Sequence, residues 1–249
     1  MLKQCPQETG VLAHSIKNLY HFACQGPDFL FYHKYISQWD QRVNIVARRI
    51  HRENAADLLL CGVQHVATWK RCGREWQTLA CYMLGAISHW AADCTLHPLV
   101  YAIVPEGAVT GRSRHKRLES TMDILLMERY GVQRQNRKNI LALEDGLPDA
   151  VCRYYLDCVR AVWPGGPRIN DLDLHRSYKQ CLEFMTYTER HNAAYHLTRG
   201  LAKVSGGQIR LDLFWFPDHK YEEDVYDLEG GGVYDLEMCI RDRSCCGPR

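Results

Sequence analysis

Three residues with metal-binding side chains recur at four-residue intervals in the stretch GAISHWAADCTLHP. They are His89, Asp93 and His97. Residues i and i+4 lie one turn apart on the same face of a helix, so this spacing predicts one stripe of three ligands, each step about 6 Å. A histidine and a carboxylate at i and i+4 can close on one metal ion, as the two histidines of an HExxH motif do. Burying all three in an apolar helix without partners would be costly, so the pattern favours metal binding over a helix interface.

The residue after His97 suggests a second ion. Pro98 disfavours helical backbone at the residue before it, so we expect the helix to end or kink here and His97 to point away from the first ion. Zinc lowers the pKa of a bound water to about 7, and two ions roughly 3.5–4 Å apart can stabilise both an attacking oxygen and the charge that builds on a phosphate. Metal-assisted hydrolysis is the chemistry that such a pair of ions would support.

Two further histidines have ligand character, although each has an ordinary explanation when taken alone. SRHKRLESTMD places His115 and Glu119 at i and i+4 at the start of another predicted helix, a spacing that is also typical of a solvated ion pair. His51, in NIVARRIHRE, is a single histidine on a helix. These residues gain weight only in combination with the first three.

A Gly-Pro turn supplies the last candidates. CQGPDFLFYH contains Asp28, flanked by Phe29, Phe31 and Tyr32. An aspartate in a turn usually caps a helix, although a carboxylate is also one of the groups that bind zinc. Phe29 and Tyr32 are predicted to bind substrate, as an apolar wall. The alternative for them is an ordinary place in the core.

The elements that must position these residues are helices. Apolar residues recur at i, i+3 and i+4 through most of the chain, while a strand-like alternation occurs at 208–216 (QIRLDLFWF). The sequence therefore predicts an all-α fold, with one multi-helix domain over residues 1–222. The predicted helical segments are 8–22, 36–69, 74–97, 113–130, 149–162, 171–189 and 191–204.

The last part of the chain differs in kind. VYDLE occurs twice, at 225–229 and 233–237, around a glycine triplet, and EMCIRDR follows. That heptapeptide resembles the translation of a transposon-end adaptor used in sequencing libraries. We predict that 223–249 is an irregular tail that is not native sequence, and its cysteines carry no functional weight.

Composition excludes some function classes. With 31 basic and 29 acidic residues, the net charge of +2 gives no electrostatic basis for nucleic-acid binding. The twelve cysteines are scattered without a CxxC pair, which predicts reduced, buried thiols of a cytoplasmic protein and no cysteine zinc site. No signal-peptide pattern is visible. The longest apolar stretch, 79–104, contains the three ligands and predicts a buried helix rather than a membrane span.

Taken together, the order Asp, His, HxxxDxxxH, HxxxE resembles the zinc-dependent phospholipase C family, whose all-α fold is shared by S1/P1-type nucleases. The matching stretches, QGPDFLFY, RRIH, YMLGAISHWAADCTLHPLVY and HKRLESTMD, lie between about residues 20 and 125. The resemblance implies cleavage of a phospholipid to diacylglycerol and a phosphorylated head group. We further expect transient contact with a membrane surface, no nucleic acid partner and no obligate protein partner.

The resemblance also implies a ligand set for two to three zinc ions. Asp28, His51, His89 and Asp93 would hold the first, with Asp93 also reaching towards another ion, and His97, His115 and Glu119 would hold the second. Asp28 would orient or deprotonate the attacking water. In the family a further zinc is bound by a histidine and the terminal region near the N-terminus. Since the chain begins too close to QGPDF for that opening, we expect a truncated start.

Two other functions stay open. A nuclease or nucleotidase would use the same fold, although the near-neutral charge and the match of QGPDFLFY to phospholipases count against it. A non-catalytic relative, or a fragment that does not assemble its cluster, would be recognised by the absence of zinc. An HD-type phosphohydrolase needs an adjacent His-Asp pair, which the sequence lacks.

Overall fold

The computed structural model describes residues 9–34, 40–53, 55–68, 73–104, 111–133, 135–189 and 193–204. Within these ranges the chain forms nine α-helices and one 3-10 helix and no strand, which confirms the predicted all-α fold. None of these helices is long and apolar enough to cross a membrane. The helices are α1 (Thr9–Ala23), the 3-10 helix (Gly26–Tyr32), α2 (Arg42–Arg52), α3 (Ala55–Thr68), α4 (Arg74–Ile103), α5 (Gly111–Arg129), α6 (Arg137–Leu141), α7 (Asp149–Val162), α8 (Asp171–Glu189) and α9 (Ala193–Val204).

The chain divides into two compact units. Unit 1 takes its residues from 1–90 and 137–186, and unit 2 takes its residues from 91–136 and 187–249. The stretch with strand-like alternation at 208–216 and the predicted tail at 223–249 lie outside the described residues. The domain boundary after residue 222 therefore stays a prediction.

The core of unit 1 is built from amphipathic helices and aromatic rings. On α2 the buried residues are Val43, Val46, Ala47 and Ile50, the spacing of one apolar helix face. Fully buried aromatic side chains from the 3-10 helix, α1, α4 and α7 fill the centre, and their rings pack mostly at tilted or edge-to-face angles, the geometry that aromatic quadrupoles favour. These side chains are Phe22, Phe29, Tyr82, Tyr154 and Tyr155.

Two of these tyrosines hold the turn that carries Asp28. The hydroxyls of Tyr82 and Tyr155 lie 2.7 Å apart, and they reach the carbonyl oxygen of Gly26 at 3.4 and 3.5 Å. A buried hydroxyl needs a hydrogen-bond partner, and this carbonyl supplies one. The backbone just before Asp28 is therefore fixed from inside the core.

The core of unit 2 is smaller. Leu99, Val100 and Val104 follow the ligand stripe along α4, and they cluster with Leu118 and Met122 of α5. This cluster joins the part of α4 that carries His97 to the helix that carries His115 and Glu119.

The helix does not end at Pro98, because α4 continues through this residue to Ile103; of the two expected alternatives, the helix end is wrong and the kink stays a prediction. Pro98 cannot donate to the carbonyl four residues earlier, which costs a helix about 3 kcal/mol. Leu99 and Val100 are 2% and 1% exposed, and burying two such side chains contributes about 1.5–3 kcal/mol each. Packing downstream of the proline therefore outweighs the lost hydrogen bond.

Two other segment boundaries differ from the prediction. The segment 36–69 comprises two helices, α2 and α3, because Glu53 adopts extended backbone (φ −134°, ψ 124°) and ends α2. The short helix α6 was not predicted, since five residues carry too little periodicity to recognise. In contrast, α7 spans the predicted 149–162.

Candidate metal centre

One group of potential ligands lies in unit 1 and comprises Asp28, His51 and His89. One ligand atom of each lies within 4.8 Å of the other two. His51 Nε2 is 2.7 Å from Asp28 Oδ1, and His89 Nε2 is 4.0 Å from the same oxygen. The predicted convergence of these three residues is therefore found, and we call them the unit 1 group.

Backbone carbonyls orient both imidazoles of this group. His51 Nδ1 lies 2.7 Å from the carbonyl oxygen of Ala47, one turn back on α2, and His89 Nδ1 lies 3.2 Å from that of Cys24. A carbonyl can only accept, so each Nδ1 donates, and in the neutral ring Nε2 is then the lone-pair nitrogen. Both Nε2 atoms face the Asp28 carboxylate.

The unit 1 group fits a zinc ion. A neutral imidazole nitrogen and a carboxylate oxygen are both acceptors, so their 2.7 Å approach needs a positive charge, either a proton on the imidazole or a cation. Nitrogen and oxygen donors of this kind are zinc ligands, and a carbonyl that fixes the ring is the usual second partner of a metal-bound histidine. The side chain of Asp28 is 43% exposed, so water reaches the group.

Gly26 is part of this arrangement although it has no side chain. Its φ is +52°, and a Cβ at this position would overlap the imidazole ring of His89 and lie 2.8 Å from its Nε2. Glycine is therefore required twice, for the left-handed backbone and for the close approach of the ring. The sequence prediction missed this role, because the ring that presses on Gly26 comes from α4.

A second group lies in unit 2 and comprises His97, His115 and Glu119, again with one ligand atom of each within 4.8 Å of the others. Glu119 Oε1 lies 3.0 Å from His115 Nε2 and 3.6 Å from His97 Nε2. His115 and Glu119 are one turn apart on α5, as predicted. We call these three residues the unit 2 group.

The electrostatics of the unit 2 group favour a cation. Burial opposes ionisation of Glu119, but hydrogen bonds from His115 and His97 prevail and lower the pKa of its carboxyl to about 2. The hydrogen bond to Glu119 likewise raises the pKa of His97 above 6.5, against desolvation. A carboxylate held ionised between two imidazoles is a ready donor set for zinc, so these residues also fit the ion.

Asp93 contributes to unit 2, where its Oδ1 lies 3.5 Å from His97 Nδ1. This contact can hold the ring so that Nε2 faces Glu119. The assignment of Asp93 to the unit 1 group and its bridging role stay predictions. Tyr101, which the sequence prediction missed, stacks on His97 and lies 5.5 Å from the rings of both His97 and His115. Its position in the sequence, one helical turn after His97, is the signal that could have identified it.

The two predicted substrate-binding residues differ in position. Phe29 is fully buried and packs against Phe22 and Tyr155, which favours the alternative of a core aromatic. Tyr32 is half-buried, with its ring 5.0 Å from that of Phe184. Phe31 is 38% exposed, and its ring lies 5.1 Å from that of His51. Phe31 therefore lies beside a ligand of the unit 1 group.

The fold also assembles two clusters that the sequence prediction missed. In one, His33 lies near Asp40 and Asp173, but Lys34 and Arg42 already donate to Asp40 at 2.9 and 3.0 Å. The guanidinium of Arg42 and the ammonium of Lys34 hold the pKa of Asp40 well below its usual range. A cluster that already contains two cations repels a third, so this is an ion-pair network rather than a metal site.

The other cluster comprises Cys61, His65 and Cys158. Cys61 and Cys158 form a disulfide bond that joins α3 to α7. The prediction that these thiols are free is therefore wrong for this pair, whose 97-residue separation leaves no local spacing to recognise. Among the described residues, Cys24, Cys81, Cys152 and Cys181 are free thiols.

Comparison with known proteins bears on the family of the chain. A family model described as zinc dependent phospholipase C matches residues 17–203, which is well over half of the chain. All residues of the unit 1 and unit 2 groups lie inside the matched range. No curated protein and no solved structure gives a significant match.

Proposed function

Because the chain belongs to the zinc-dependent phospholipase C family, we propose that it hydrolyses the phosphodiester bond of a phospholipid to release diacylglycerol and a phosphorylated head group. The observation that carries the proposal is the pair of histidine–carboxylate groups. Each has two imidazoles directed at one carboxylate oxygen, at 2.7 and 4.0 Å in unit 1 and at 3.0 and 3.6 Å in unit 2.

We assign one zinc ion to the unit 1 group and one to the unit 2 group. For a third ion we assign no ligands among the described residues. Zinc bound there would supply a Lewis acid and a water of pKa about 7. The residues of the chain would hold the ions and orient the imidazoles that bind them. The carbonyls of Ala47 and Cys24 keep Nε2 of His51 and His89 directed at the ion, and Asp93 does the same for His97 through its Nδ1.

Asp28 is the proposed catalytic carboxylate. It stands in the first turn of the 3-10 helix, where the Gly26 carbonyl is tied to two core tyrosines, and its side chain is 43% exposed. A carboxylate that is both fixed and open to water can orient an attacking water and accept its proton. Because Asp28 would also bind zinc, its carboxylate would act directly beside the ion.

Phe31 is the proposed apolar contact for the substrate. Its exposed ring lies 5.1 Å from that of His51, at a tilted angle, so a phospholipid whose phosphate reaches the unit 1 group would place its neighbouring groups against this ring. An aromatic face also attracts a quaternary ammonium head group, by about 0.5–1 kcal/mol at an exposed site. Tyr32 stays a predicted substrate residue, and its ring lies 5.0 Å from that of Phe184.

The test compares His89→Ala with His196→Ala, an exposed histidine on α9 outside the ligand groups. Zinc content and hydrolysis of phosphatidylcholine in mixed micelles are measured on protein that elutes as a folded species. We expect His89→Ala to bind one zinc fewer than the wild type and to lose at least about 100-fold in hydrolysis, the upper end of the loss seen when a ligand's supporting partner is removed. His196→Ala should match the wild type.

Three results would contradict the proposal. One is unchanged hydrolysis in His89→Ala, and another is a folded wild type without zinc. The third is faster hydrolysis of single-stranded DNA than of phosphatidylcholine, which would assign the same groups to a nuclease.

A further inference from the structure

A second kind of donor set lies on α3 and α7 of unit 1. Cys61 and His65 are one turn apart on α3, and Cys158 faces them from α7, with the Cα atoms of the two cysteines 5.7 Å apart. His65 Nδ1 lies 3.9 Å from Cys61 Sγ and 3.8 Å from Cys158 Sγ. One imidazole nitrogen is thus nearly equidistant from both sulfur atoms, although the disulfide bond itself needs no histidine.

The other nitrogen of the same ring faces a carboxylate. His65 Nε2 lies 3.5 Å from Asp157 Oδ2, and Asp157 directly precedes Cys158 on α7. A carboxylate accepts the Nε2 proton, which leaves the lone pair on Nδ1, the nitrogen that faces the sulfurs. This is the carboxylate–histidine arrangement that orients a metal-bound imidazole. Nδ1 also lies 3.0 Å from the Cys61 carbonyl, so in the disulfide form the ring can instead donate there.

The burial of these three side chains favours a structural metal site over a solvent-exposed catalytic one. Cys158 is fully buried, Cys61 is half-buried, and the His65 side chain is 26% exposed. Two thiolates and an imidazole select zinc among the common divalent ions, since thiolate is a soft ligand that calcium and magnesium do not prefer. Three protein ligands leave one position for a water molecule.

We propose that, when the disulfide is reduced, Cys61, Cys158 and His65 bind a zinc ion that links α3 to α7. A thiol reductant supplies two electrons and two protons to open the Cys61–Cys158 bond, and zinc then displaces the two thiol protons. An oxidising disulfide such as oxidised glutathione reverses the step: the two thiolates give up two electrons and become the disulfide, the oxidant takes up these electrons and two protons from water to become two thiols, and zinc is released. The helices stay joined in either state, by a covalent bond or by the ion.

Cobalt(II) distinguishes this site from the unit 1 and unit 2 groups. Sulfur ligands give Co²⁺ an intense near-ultraviolet charge-transfer absorption, whereas the other two groups offer only nitrogen and oxygen. Metal-free full-length protein, reduced with a phosphine that does not bind metal strongly, is titrated with Co²⁺. We expect an absorption that saturates at about one equivalent of sulfur-bound ion per chain and disappears when zinc is added.

The variants test each ligand. The double variant Cys61→Ser/Cys158→Ser should lose the absorption. Cys152→Ser is the matched control and should keep the absorption. Cys152 also neighbours a histidine, since its Sγ lies 3.8 Å from His175 Nε2, but it belongs to none of the ligand groups found among the described residues. His65→Gln retains both thiols and should weaken Co²⁺ binding by at least about 10-fold, which keeps the test valid if the double variant does not fold.

The proposal is overturned if reduced, folded wild type gives no sulfur-to-cobalt absorption, if the absorption persists in the double variant, or if His65→Gln binds Co²⁺ as tightly as the wild type. Activity reports separately on the proposed function. The double variant should hydrolyse phospholipid like the wild type, since its histidine–carboxylate groups are intact. Loss of hydrolysis in His89→Ala should in turn leave the charge-transfer absorption unchanged.

Discussion

Replacing Gly26 by alanine should damage the unit 1 group without removing any ligand. The added methyl group would overlap the imidazole of His89, and the residue would have to keep a left-handed backbone with φ +52°. The two costs are separable, because Gly146 also has a positive φ (+78°) but has nothing within 4 Å of an added Cβ. Gly146→Ala is therefore the matched control.

The magnitudes follow from these two differences. A left-handed conformation costs an alanine about 1–2 kcal/mol, and the loss of glycine's freedom in the unfolded chain returns about 0.4–1 kcal/mol. Gly146→Ala should therefore lower the free energy of unfolding by no more than about 1.5 kcal/mol. Gly26→Ala adds overpacking against a buried ring, which costs about 1–3 kcal/mol. The difference between the two variants should be about 1–3 kcal/mol.

The metal readout is more specific than stability. If the ring of His89 moves away to relieve the overlap, Nε2 no longer faces Asp28, and zinc affinity at the unit 1 group should fall by about 10–100-fold, as when a partner that orients a ligand is removed. Gly146→Ala should bind zinc like the wild type.

Urea unfolding of the metal-free proteins gives the stability difference, and zinc titration against a competing chelator gives the affinity. Equal stability and equal zinc affinity in Gly26→Ala and Gly146→Ala would refute the reasoning, because the ring of His89 would then not press on Gly26. A stability loss with unchanged zinc affinity would place the damage in the backbone turn alone.

Three other outcomes follow from the same structure. In the metal-free protein, the contact between Glu119 and His97 adds stability that is present below pH 6.5 and is lost as pH rises through the raised pKa of His97. The difference in urea midpoint between wild type and Glu119→Gln should therefore be larger at about pH 6 than at about pH 9. A difference that stays constant with pH would contradict this prediction. Asp40→Asn should cost about 1–2 kcal/mol at neutral pH, since it weakens charged hydrogen bonds at a partly exposed site. Because the pKa of Asp40 is lowered from 3.8, this cost should shrink only as pH falls below that value, and a cost that shrinks already near neutral pH would count against it. Phe29→Ala should destabilise the protein by about 3–5 kcal/mol as a core truncation, whereas Phe31→Ala should cost less than about 1 kcal/mol and act on phospholipid hydrolysis instead; comparable stability losses would show that the two rings are not divided between core and surface.

Local pattern was sufficient where the structure is decided locally. The four-residue spacing of His89, Asp93 and His97 predicted a helix with one ligand stripe, and HxxxE predicted the pairing of His115 with Glu119. The convergence of Asp28 and His51 on His89 joins three elements far apart in sequence, and spacing alone does not predict it. It was predicted through the family resemblance.

The failures have a common physical cause, which is that distant packing outweighs a local preference. Pro98 should end a helix, but the burial of Leu99 and Val100 carries α4 past it. Cys61 and Cys158 show no paired spacing, because the two helices that bring them together are distant along the chain. His33 and Gly26 also gain their roles from residues on other helices.

The two tyrosine hydroxyls that reach the Gly26 carbonyl link the interior of unit 1 to the turn that carries Asp28, which we call the ligand turn. Phenylalanine at position 82 or 155 would fill the same volume, so packing alone would allow either ring to vary among natural sequences. The hydroxyl network removes that freedom, since a missing hydroxyl leaves its neighbour and the carbonyl with fewer partners just before Asp28. Variation at these two buried positions is therefore constrained by the ligand turn as well as by the core, and a sequence that changes one of them should change the other or the turn with it.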